Sequence, residues 1–546
     1  MDGRMMQVPL RVTPFIARAE RYFGAREVVT RTAAGVHRTR WSQIGERARR
    51  LASSLAQLGL EPFERVATLA WNTHRHVELY YAVPGARLVL HTLNLRLHAD
   101  QLAWIATHAD DRVIFVDDSL VPLLESIAPK LPRVRAFVLM GDGPLPQTSL
   151  APAFRYEDLV ARGDPGFRFA DGDENEAALL CYTSGTTGKP KGVLYSHRAL
   201  AHASILMATV DGFGLGERDS ILVAVPLFHA AGWCMPYVGA MIGAKLVLPG
   251  PNLAPADVLA AIDAERITFS AGVPTLWSGV AALAESGKRR LAPLERVICA
   301  GSAVPAALIE RFERLGVEMR QAWGMTEVPL GTAARVKQTL RVDGPAARAQ
   351  LLARQGLPAP TVEIRIVDAD GRPLPEDGES SGELQVRGLN VVSSYFGPEP
   401  AAPVERDGWF STGDVATIDP EGYLVIRDRT KDVIKSGGEW ISSVELELLL
   451  SLHPKVAEAA VIACPDEKWV ERPLACVVAR TGEAPTADEL RAFLAPKIAR
   501  WWNPDSFAFV TEIPKTSVGK VDKKSLRESL ASGALDVVTA GDAEKT

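Results

Sequence analysis

The stretch best equipped for chemistry is CYTSGTTGKPKG at residues 181–192. Its backbone N–H groups, hydroxyls and two lysines can converge on one anion, and phosphate is the natural guest. It is not a Walker A loop, which needs a glycine where this chain has Thr183 and a Ser or Thr where it has Pro190. A flexible linker is the alternative interpretation, and two lysines directly after a buried strand argue against it.

Two further stretches carry groups suited to a nucleotide and its metal. Residues 321–327 read QAWGMTE, in which the Trp323 indole offers a stacking face and Thr326 and Glu327 offer oxygen ligands for magnesium. Residues 408–414 end on Asp414, whose carboxylate can accept hydrogen bonds from both ribose hydroxyls. Taken alone, Trp323 also suits a hydrophobic core and Asp414 also suits a turn.

His229 follows the apolar stretch 221–225, which we predict to be a strand, and a strand exit in an α/β protein often faces a ligand. A hydrogen-bonded core histidine is the alternative. The stretch 299–305 places small residues after another predicted strand, so that a flat ligand or a narrow acyl chain can approach the backbone. Its three candidate contacts are Gly301, Ser302 and Ala303.

The elements that must position these residues alternate between buried strands and helices, which predicts an α/β fold with parallel strands. Strand 177–182 leads into the phosphate-binding candidate, and helix 196–210 follows it. The other predicted strands are 66–70, 113–116 and 136–139, and the other predicted helices are 41–58 and 101–108.

Residues 428–432 are charged or polar between two apolar strands and form the best candidate domain boundary. We predict a domain at 1–427, a hinge at 428–432 and a small α/β domain at 433–546. In the small domain, a Gly-rich turn at 435–442 enters a helix that Ser442 and Glu445 would cap.

Length and composition narrow the class of protein. A chain of 546 residues needs at least two domains, and a net charge of -5 gives no reason to expect a nucleic-acid partner. Five scattered cysteines indicate reduced thiols in a cytoplasmic protein and not a disulfide framework or a zinc site. The uncharged run 221–244 is broken by proline, glycine and histidine, so it predicts strand, loop and buried helix and no membrane span.

Residues 182–192 resemble the signature loop of the acyl-adenylate-forming enzymes, a superfamily of acyl-CoA synthetases, adenylation domains of peptide synthetases and beetle luciferases. Five motifs between residues 182 and 520 follow that family's order, ending with the lysine-rich stretch 514–524. Segments between the motifs resemble the medium- and long-chain fatty-acyl-CoA synthetase branch. These segments are 196–200, 245–251, 437–443 and 471–474.

The resemblance implies a large N-terminal domain of layered α/β subdomains and a small, mobile C-terminal α/β domain. It implies ATP, Mg²⁺ and CoA, with a fatty acid or similar small carboxylic acid as substrate. The acid would attack the α-phosphate of ATP to give acyl-AMP and pyrophosphate, and the CoA thiol would then displace AMP. It also implies a homodimer and allows peripheral membrane contact.

The same resemblance gives residues their roles. Lys520 would meet the substrate carboxylate and the α-phosphate, His229 would lie beside the acyl carboxylate, and Ser184 and Glu327 complete the catalytic set. Thr186 and Glu327 would hold magnesium. Asp414, helped by Arg429, would bind ribose, and Trp440 would gate the fatty-acid tunnel. The set implied for cofactor binding is Thr183, Ser184, Gly185, Thr186, Thr187, Gly188, Lys189, Gly301, Ser302, Ala303, Gln321, Ala322, Trp323, Gly324, Met325, Thr326, Asp414, Arg429, Lys435 and Trp440.

One departure leaves the substrate open. Ala230 and Ala231 stand where many relatives carry Val-Asn, and smaller side chains would reshape the acyl pocket. A short thioether, branched or aryl acid is therefore the alternative to a medium- or long-chain fatty acid. Two other functions share these motifs, namely an adenylating enzyme with a carrier-protein thiol as acceptor and a non-catalytic nucleotide sensor. The sequence shows no appended carrier domain, and intact Glu327, Asp414 and Lys520 argue against a sensor.

Overall fold

The computed structural model of the chain describes residues 3–32, 35–183, 189–397, 404, 407–436, 439–466, 468–482, 484–516 and 520–540, without the side chains of 230, 231, 439 and 440. The chain divides into two compact units. Unit 1 comprises Met1–Glu363 and Val386–Phe410, and unit 2 comprises Ile364–Gln385 and Ser411–Thr546. The predicted hinge at 428–432 lies within unit 2, and the domain boundary drawn there stays a prediction.

Helices and strands alternate through most of the described chain. The α-helices are α1 (Thr13–Phe23), α2 (Trp41–Ala56), α3 (His74–Gly85), α4 (Ala99–Ala109), α5 (Val121–Ile127), α6 (Tyr156–Arg162), α7 (His197–Ala208), α8 (Met235–Ile242), α9 (Pro255–Glu265), α10 (Pro274–Ser286), α11 (Ala306–Arg314), α12 (Gly344–Leu352), α13 (Ser443–Ser451), α14 (Ala487–Leu494) and α15 (Lys523–Ala531). The strands are β1 (Glu27–Thr32), β2 (Gly35–Arg40), β3 (Arg65–Leu69), β4 (Val89–Thr92), β5 (Asp111–Asp117), β6 (Ala136–Met140), β7 (Ala153–Arg155), β8 (Ala177–Tyr182), β9 (Gly192–Ser196), β10 (Ser220–Leu222), β11 (Lys245–Leu248), β12 (Phe269–Gly272), β13 (Arg296–Cys299), β14 (Glu318–Met325), β15 (Val328–Ala333), β16 (Leu357–Pro358), β17 (Val362–Val367), β18 (Gly382–Gly388), β19 (Phe410–Ile418), β20 (Leu424–Arg429), β21 (Ile434–Ser436), β22 (Glu439–Ile441), β23 (Val456–Asp466), β24 (Val470–Ala479), β25 (Ser506–Phe509) and β26 (Val537–Thr539).

Unit 1 contains two large sheets. The first has the order β7-β6-β5-β3-β4-β8-β9, and all its pairs are parallel except the β8–β9 hairpin. Strands β4 and β6 are buried along their whole length and β3 is buried at every residue after Arg65, in agreement with their mostly apolar sequences. This sheet delivers the predicted phosphate-binding loop from the end of β8.

The second sheet has the order β16-β15-β14-β13-β12-β10-β11-β1-β2, with a parallel centre and antiparallel edges. A large core lies against it, in which Trp277 of α10 and Phe312 of α11 meet edge to face with ring centroids 5.8 Å apart. The β14–β15 hairpin carries residues 321–327 at the edge of this sheet.

Unit 2 holds a six-stranded sheet with the order β22-β21-β24-β25-β26, in which β23 also pairs with β24. Along β23, Val461 packs into a core with α13 and α14, while its neighbours Ala460 and Ile462 pack with Leu526 of α15. This alternation places helices on both faces of the sheet. Unit 2 also contains the greater part of a four-stranded sheet, β17-β18-β19-β20.

The predicted α/β class is confirmed, with a larger N-terminal and a smaller C-terminal part. One local prediction was wrong. The strand expected at 221–225 ends at Leu222, because Asn72 Nδ2 donates to the carbonyls of Val223 and Val225, 2.8 and 2.9 Å away. Residues 193–195, for which the sequence predicts no element, form β9 together with Gly192 and Ser196, and β9 returns beside β8.

Several other local predictions agree with the structure. The run 221–244 forms β10, a loop with a 3-10 helix at Ala230–Cys234, and α8. Among the described residues, no helix is long and apolar enough to cross a membrane. All five cysteines are free thiols. Ser442 caps α13 by accepting from Glu445 N at 3.1 Å, while the stretch before it is the β21–β22 hairpin.

Candidate active site

Two hydrogen bonds close the base of the predicted phosphate-binding loop. Thr183 N donates to Lys191 O at 2.9 Å, and Thr183 Oγ1 accepts from Lys191 N at 3.1 Å. Tyr182 and Gly192 stand opposite each other in the β8–β9 pair. The structure therefore gives both ends of the loop. The ligands predicted inside it, Ser184, Gly185, Thr186, Thr187 and Gly188, lie outside the described residues.

Lys189, the predicted phosphate ligand at the end of the loop, lies near an aromatic cluster on α4. Its Nζ is 5.7 Å from the ring centroid of Trp104, which stacks on His108 at 4.8 Å. His108 Nδ1 is 2.6 Å from Tyr182 Oη. Burial and then the charge of Lys189 lower the pKa of His108. The cluster thus joins the residues before and after the loop.

Glu327 lies in the two-residue turn between β14 and β15 and is 5% exposed. Tyr395 Oη donates to Glu327 Oε1 at 2.8 Å, and Lys191 Nζ lies 4.7 Å from the Tyr395 ring centroid. Burial, followed by the charge of Glu327, raises the pKa of Tyr395 well above its ordinary value, so the hydroxyl keeps its proton. Tyr395 therefore touches both the predicted metal ligand and the signature loop.

Backbone hydrogen bonds fix the segment that carries Tyr395. Val392 N donates to Glu327 O at 2.9 Å, and Phe396 N donates to Gly192 O at 2.8 Å. The segment therefore spans from the β14–β15 turn to the start of β9. Tyr395, Trp104 and His108 are not among the residues predicted from the sequence. For the last two, a signal existed in two aromatic rings spaced i, i+4 on one predicted helix.

Trp323, the predicted adenine platform, is 8% exposed and stands opposite Thr332 in the β14–β15 pair. It packs closely on the next strand, since a Cβ atom added to Gly331 would lie 2.3 Å from Trp323 Cζ3. A Cβ at Gly324 would meet the carbonyl oxygen of Val328 at 2.8 Å. Both glycines are therefore needed for the close approach of the two strands around the indole.

The small residues after β13 lie beside Gln321. β13 and β14 are parallel with Cys299 opposite Gln321, and Val304 N donates to Gln321 Oε1 at 3.1 Å. Gly301 has a φ of 92°, which favours glycine. The structure thus brings together predicted contacts from two stretches. These are Gly301, Ser302 and Ala303 from one, and Gln321, Ala322, Gly324, Met325 and Thr326 from the other.

His229 is half-buried and precedes the 3-10 helix Ala230–Cys234, which packs against β8, β15 and α7. The segment before it is held by Asn72 Oδ1, which accepts from Leu227 N at 2.8 Å, and by Tyr80, whose hydroxyl donates to Leu227 O at 2.5 Å. Trp233 has a φ of 48° and Cys234 a φ of 55°. Such left-handed, non-glycine residues cluster at functional sites. His229 thus leads into a helix that packs against strands of both large sheets, β8 and β15.

In unit 2, Asp414 of β19 is 1% exposed and pairs with Arg429 of β20. Arg429 Nε lies 2.6 Å from Asp414 Oδ1, as the strand register requires. Lys435 is exposed on β21, and its backbone N–H donates to Glu471 Oε2 at 2.7 Å. The side chain of Trp440 lies outside the described residues, so its predicted role as an acyl gate stays a prediction.

In unit 2, hydrogen bonds fix the backbone of Lys520 and of the residues next to it. Thr516 N donates to Lys520 O at 2.7 Å, Thr516 Oγ1 accepts from Lys520 N at 3.2 Å, and Asp522 N donates to Pro514 O at 2.8 Å. Asp522 then caps α15, accepting from Lys524 N at 3.2 Å. Lys520 is thereby attached to α15 through only two residues.

The protein groups suit magnesium that is bound mainly by phosphate. Within the described residues, no group of three His, Cys, Asp or Glu side chains could hold a metal. Mg²⁺ commonly uses one or two carboxylates together with substrate phosphates and water, and no all-protein cage. The buried Glu327 carboxylate, fixed by Tyr395 and close to the base of the signature loop, supplies such a donor.

Three features are typical of a two-part enzyme that acts on a nucleotide. They are a glycine-rich segment between two strands, a buried carboxylate close to its base, and a separate α/β unit that carries Lys520. The family model described as AMP-binding enzyme matches residues 15–396, and that described as AMP-binding enzyme C-terminal domain matches residues 445–520. The chain belongs to the AMP-binding enzyme family, which confirms the resemblance seen in its motifs.

Relatives match the chain over nearly its whole length. It is 46% identical to a medium-chain-fatty-acid–CoA ligase of Ectopseudomonas oleovorans (97% of each chain) and 48% identical to a 3-methylmercaptopropionyl-CoA ligase of Ruegeria pomeroyi (97% of this chain, 98% of the relative). It is 47% identical to a long-chain-fatty-acid–CoA ligase of Thermus thermophilus (96% of each). The solved structure of an anthranilate CoA ligase with anthranoyl-AMP has a TM-score of 0.85 at 26% identity, covering 96% of this chain and 99% of that one.

Proposed function

We propose that this protein is an ATP-dependent acyl-CoA synthetase that converts a medium- or long-chain fatty acid to its CoA thioester through an acyl-AMP intermediate. The observation that carries the proposal is the full-length likeness to CoA ligases, two of which are named for medium- and long-chain fatty acids. The described site supports it, because Tyr395 connects the buried Glu327 of the β14–β15 hairpin, which also carries Trp323, to Lys191 at the base of the phosphate loop.

In the first step, a carboxylate oxygen of the acid forms a bond to the α-phosphorus of ATP, and the bond to the bridging oxygen breaks to release pyrophosphate. In the second, the CoA thiol gives up its proton, its sulfur bonds to the acyl carbon, and AMP leaves with the electron pair of the cleaved bond. The protein needs no nucleophile of its own, only alignment and neutralisation of charge. Lys520 would stabilise the developing charge at the α-phosphate, and His229 would orient the acyl carboxylate.

The remaining residues would hold the nucleotide. Ser184, Thr186, Thr187 and Lys189 would bind the β- and γ-phosphates, Trp323 would stack on adenine, and Asp414 with Arg429 would bind the ribose. Magnesium, when held by Glu327 and Thr186, would offset phosphate charge and keep the leaving group aligned. Tyr395 holds the Glu327 carboxylate by its 2.8 Å hydrogen bond, so that this ligand is oriented before magnesium arrives.

We also propose that the protein is a cytoplasmic homodimer. β2 is the edge strand of the nine-stranded sheet and is exposed along most of its length, with Val36 49% exposed. An exposed edge strand is a template for pairing with another chain. Light scattering during gel filtration should give the mass of two chains, and a mass of one chain would contradict the dimer.

The test of the proposal is a pair of half-reaction assays with the variant Lys520→Ala. Loss of one preorganised donor typically costs roughly 10²-fold or more, so pyrophosphate release from ATP and fatty acid should fall by that factor. The same variant given synthetic acyl-AMP and CoA should form thioester near the parent rate, since Lys520 is proposed to act only in adenylation. Unchanged adenylation would contradict the assignment of Lys520, and equal damage to both steps would contradict separate use of the lysine.

A substrate panel tests the acyl preference. The parent enzyme would receive ATP, CoA and acids of graded chain length, with 3-methylmercaptopropionate and aryl and branched acids alongside. We expect the highest kcat/KM for a medium- or long-chain fatty acid. A higher value for 3-methylmercaptopropionate would instead assign the activity named for the Ruegeria relative.

A further inference from the structure

Helix α15 is connected to both ends of the predicted hinge, directly to Asp432 and through Ser443 to Asp428. Lys523 and Arg527 are four positions apart and therefore lie on one face of the helix. Arg527 Nη1 is 2.8 Å from Asp432 Oδ1, and Lys523 reaches Asp428 through Ser443. Both ends of the hinge predicted at 428–432 are therefore connected to one helix.

The contact at the first end is a short chain of hydrogen bonds. Lys523 Nζ donates to Ser443 Oγ at 2.5 Å, and the Ser443 hydroxyl donates to Asp428 Oδ2 at 2.6 Å. Ser443 N also donates to Asp428 Oδ2 at 2.6 Å, and Arg429 N donates to Oδ1 at 2.7 Å. Every oxygen of the Asp428 carboxylate is thereby bonded, which fixes the orientation of the hinge residue.

The same lysine is paired with a second buried acid. Lys523 Nζ lies 2.8 Å from Glu447 Oε1, which also accepts from Val461 N at 2.8 Å. The two side chains are only 10% and 17% exposed. Burial raises the pKa of Glu447 and of Asp428. Burial alone would lower the pKa of Lys523, but Glu447 and Asp428 outweigh it. An ion pair with so little exposure to water is stable only in a narrow range of geometries, because each charge is compensated only when its partner is close.

The clamped helix starts directly after the predicted catalytic lysine. Asp522 accepts from Lys524 N and Ser525 N at the helix N-terminus, and its own N–H donates to Pro514 O. Asp522 is therefore held both by the N-terminus of α15 and by Pro514. A displacement of α15 relative to the hinge would move the Lys520 backbone with it.

We propose that Lys523 and Arg527 are positioning residues that set the place of Lys520 relative to the hinge for the adenylation step. The inference rests on the proposed function, in which Lys520 acts on the carboxylate and the α-phosphate. Neither residue would touch substrate. Their effect would be on the rate of adenylation and not on ATP binding, since a misplacement of about 1 Å by a distant mutation can cost 10²-fold in rate.

The variants are chosen so that at least one remains folded. Arg527→Gln and Asp432→Asn each remove one partner of an ion pair whose arginine is 33% exposed, and their combination tests whether the two act through each other. Lys523→Met probes the buried contact and is read together with its melting curve. The matched control is Lys524→Met, the same change one residue later, on the solvent side where Lys524 is 60% exposed and 3.7 Å from Glu528.

We expect Lys523→Met to lower kcat for adenylation by roughly 10²-fold. For Arg527→Gln the expected loss is about fivefold, the scale of a partly exposed ion pair. KM for ATP and thioester formation from synthetic acyl-AMP should stay within twofold of the parent for each. The double variant Asp432→Asn/Arg527→Gln should be no slower than the slower single variant, and Lys524→Met should match the parent.

Amide hydrogen exchange across residues 514–522, measured without substrates, gives a second readout. The variants should exchange faster there and Lys524→Met should not, which tests the clamp even if the parent forms no acyl-AMP. A parent protein without adenylation activity would overturn the proposed function. The exchange result alone would then show whether α15 and its contacts with the hinge hold the Lys520 backbone in place. Folded variants with parent adenylation rates and parent exchange, or with equal loss in both half-reactions, would overturn the positioning role.

Discussion

Replacing Tyr395 with Phe should weaken magnesium binding while leaving the fold intact. The change removes only the hydroxyl that donates to Glu327 Oε1 at 2.8 Å, and it keeps the ring that lies 4.7 Å from Lys191 Nζ. Glu327 would lose the group that orients its carboxylate in the β14–β15 turn. Part of the metal's binding free energy would then be spent on ordering that side chain.

The size of the effect follows from the kind of hydrogen bond that is lost. A hydrogen bond to a charged group is worth about 1.5–3 kcal/mol, and Tyr395 is half-buried, which favours the lower end. Since about 1.4 kcal/mol is a factor of ten, the apparent Kd for Mg²⁺ in the presence of ATP should rise roughly tenfold. Titration calorimetry with Mg²⁺ into enzyme and ATP would measure it, with activity against Mg²⁺ concentration as a second readout.

Two controls make this prediction refutable. Tyr22→Phe on α1, where Tyr22 is 59% exposed, removes the same hydroxyl away from the site and should leave Mg²⁺ affinity unchanged. In a Glu327→Gln background, Tyr395→Phe should add little, because the partner charge is gone. A Kd for Mg²⁺ within twofold of the parent, in a Tyr395→Phe protein with the parent melting temperature, would refute the proposed orientation of Glu327.

Three further predictions concern adenine, the acyl group and pH. Gly331→Val should displace the Trp323 indole, because a Cβ at Gly331 would lie 2.3 Å from Trp323 Cζ3. The variant should raise KM for ATP by an amount equivalent to roughly 1–3 kcal/mol of stacking. An unchanged KM would contradict the role of Trp323 in stacking on adenine. Trp440→Ala should change the fatty-acid chain-length profile more than the affinity for ATP, and an unchanged profile with a large loss of thermal stability would favour a packing role. Burial lowers the pKa of the fully buried His76 to about 4, so the folded protein binds fewer protons than the unfolded chain between that value and about 6.5. The contribution of His76 to the free energy of unfolding is therefore fully present above pH 6.5, and it falls by on the order of 3 kcal/mol as the pH drops to 4. The variant His76→Asn should show a shallower fall of the melting temperature with decreasing pH, and an equally steep fall would contradict the prediction.

Local patterns predicted much of the fold. β8 runs from Ala177 to Tyr182 as expected, and α7 begins after Ser196, whose hydroxyl accepts from Ala199 N at 3.1 Å. Both depend on residues within a few positions of each other, namely an apolar run and an N-cap. The strand end at Leu222 could not be read in this way, because it depends on Asn72, about 150 residues earlier in the chain.

In the candidate site, too, residues with a local sequence signal could be predicted and residues that depend on distant partners could not. Trp323, Glu327 and Asp414 stand out in sequence because the residue type and the neighbouring glycine or hydroxyl already suggest a role. Tyr395 does not, since its meaning comes from a hydrogen bond to a residue 68 positions away and from a cation that follows a different strand. The network of Asp428, Ser443 and Lys523 is likewise visible only after three separate segments are brought together.

The measurement that tests the central claim most directly follows oxygen atoms from the substrate acid. A fatty acid carrying ¹⁸O in both carboxylate positions would be converted with ATP and CoA, and the products would be analysed by mass spectrometry. If the carboxylate attacks the α-phosphate and CoA then displaces AMP, one ¹⁸O must appear in AMP and one must remain in the acyl-CoA, with unlabelled pyrophosphate. Unlabelled AMP, or label in inorganic phosphate with ADP as the nucleotide product, would contradict the acyl-adenylate mechanism for this protein.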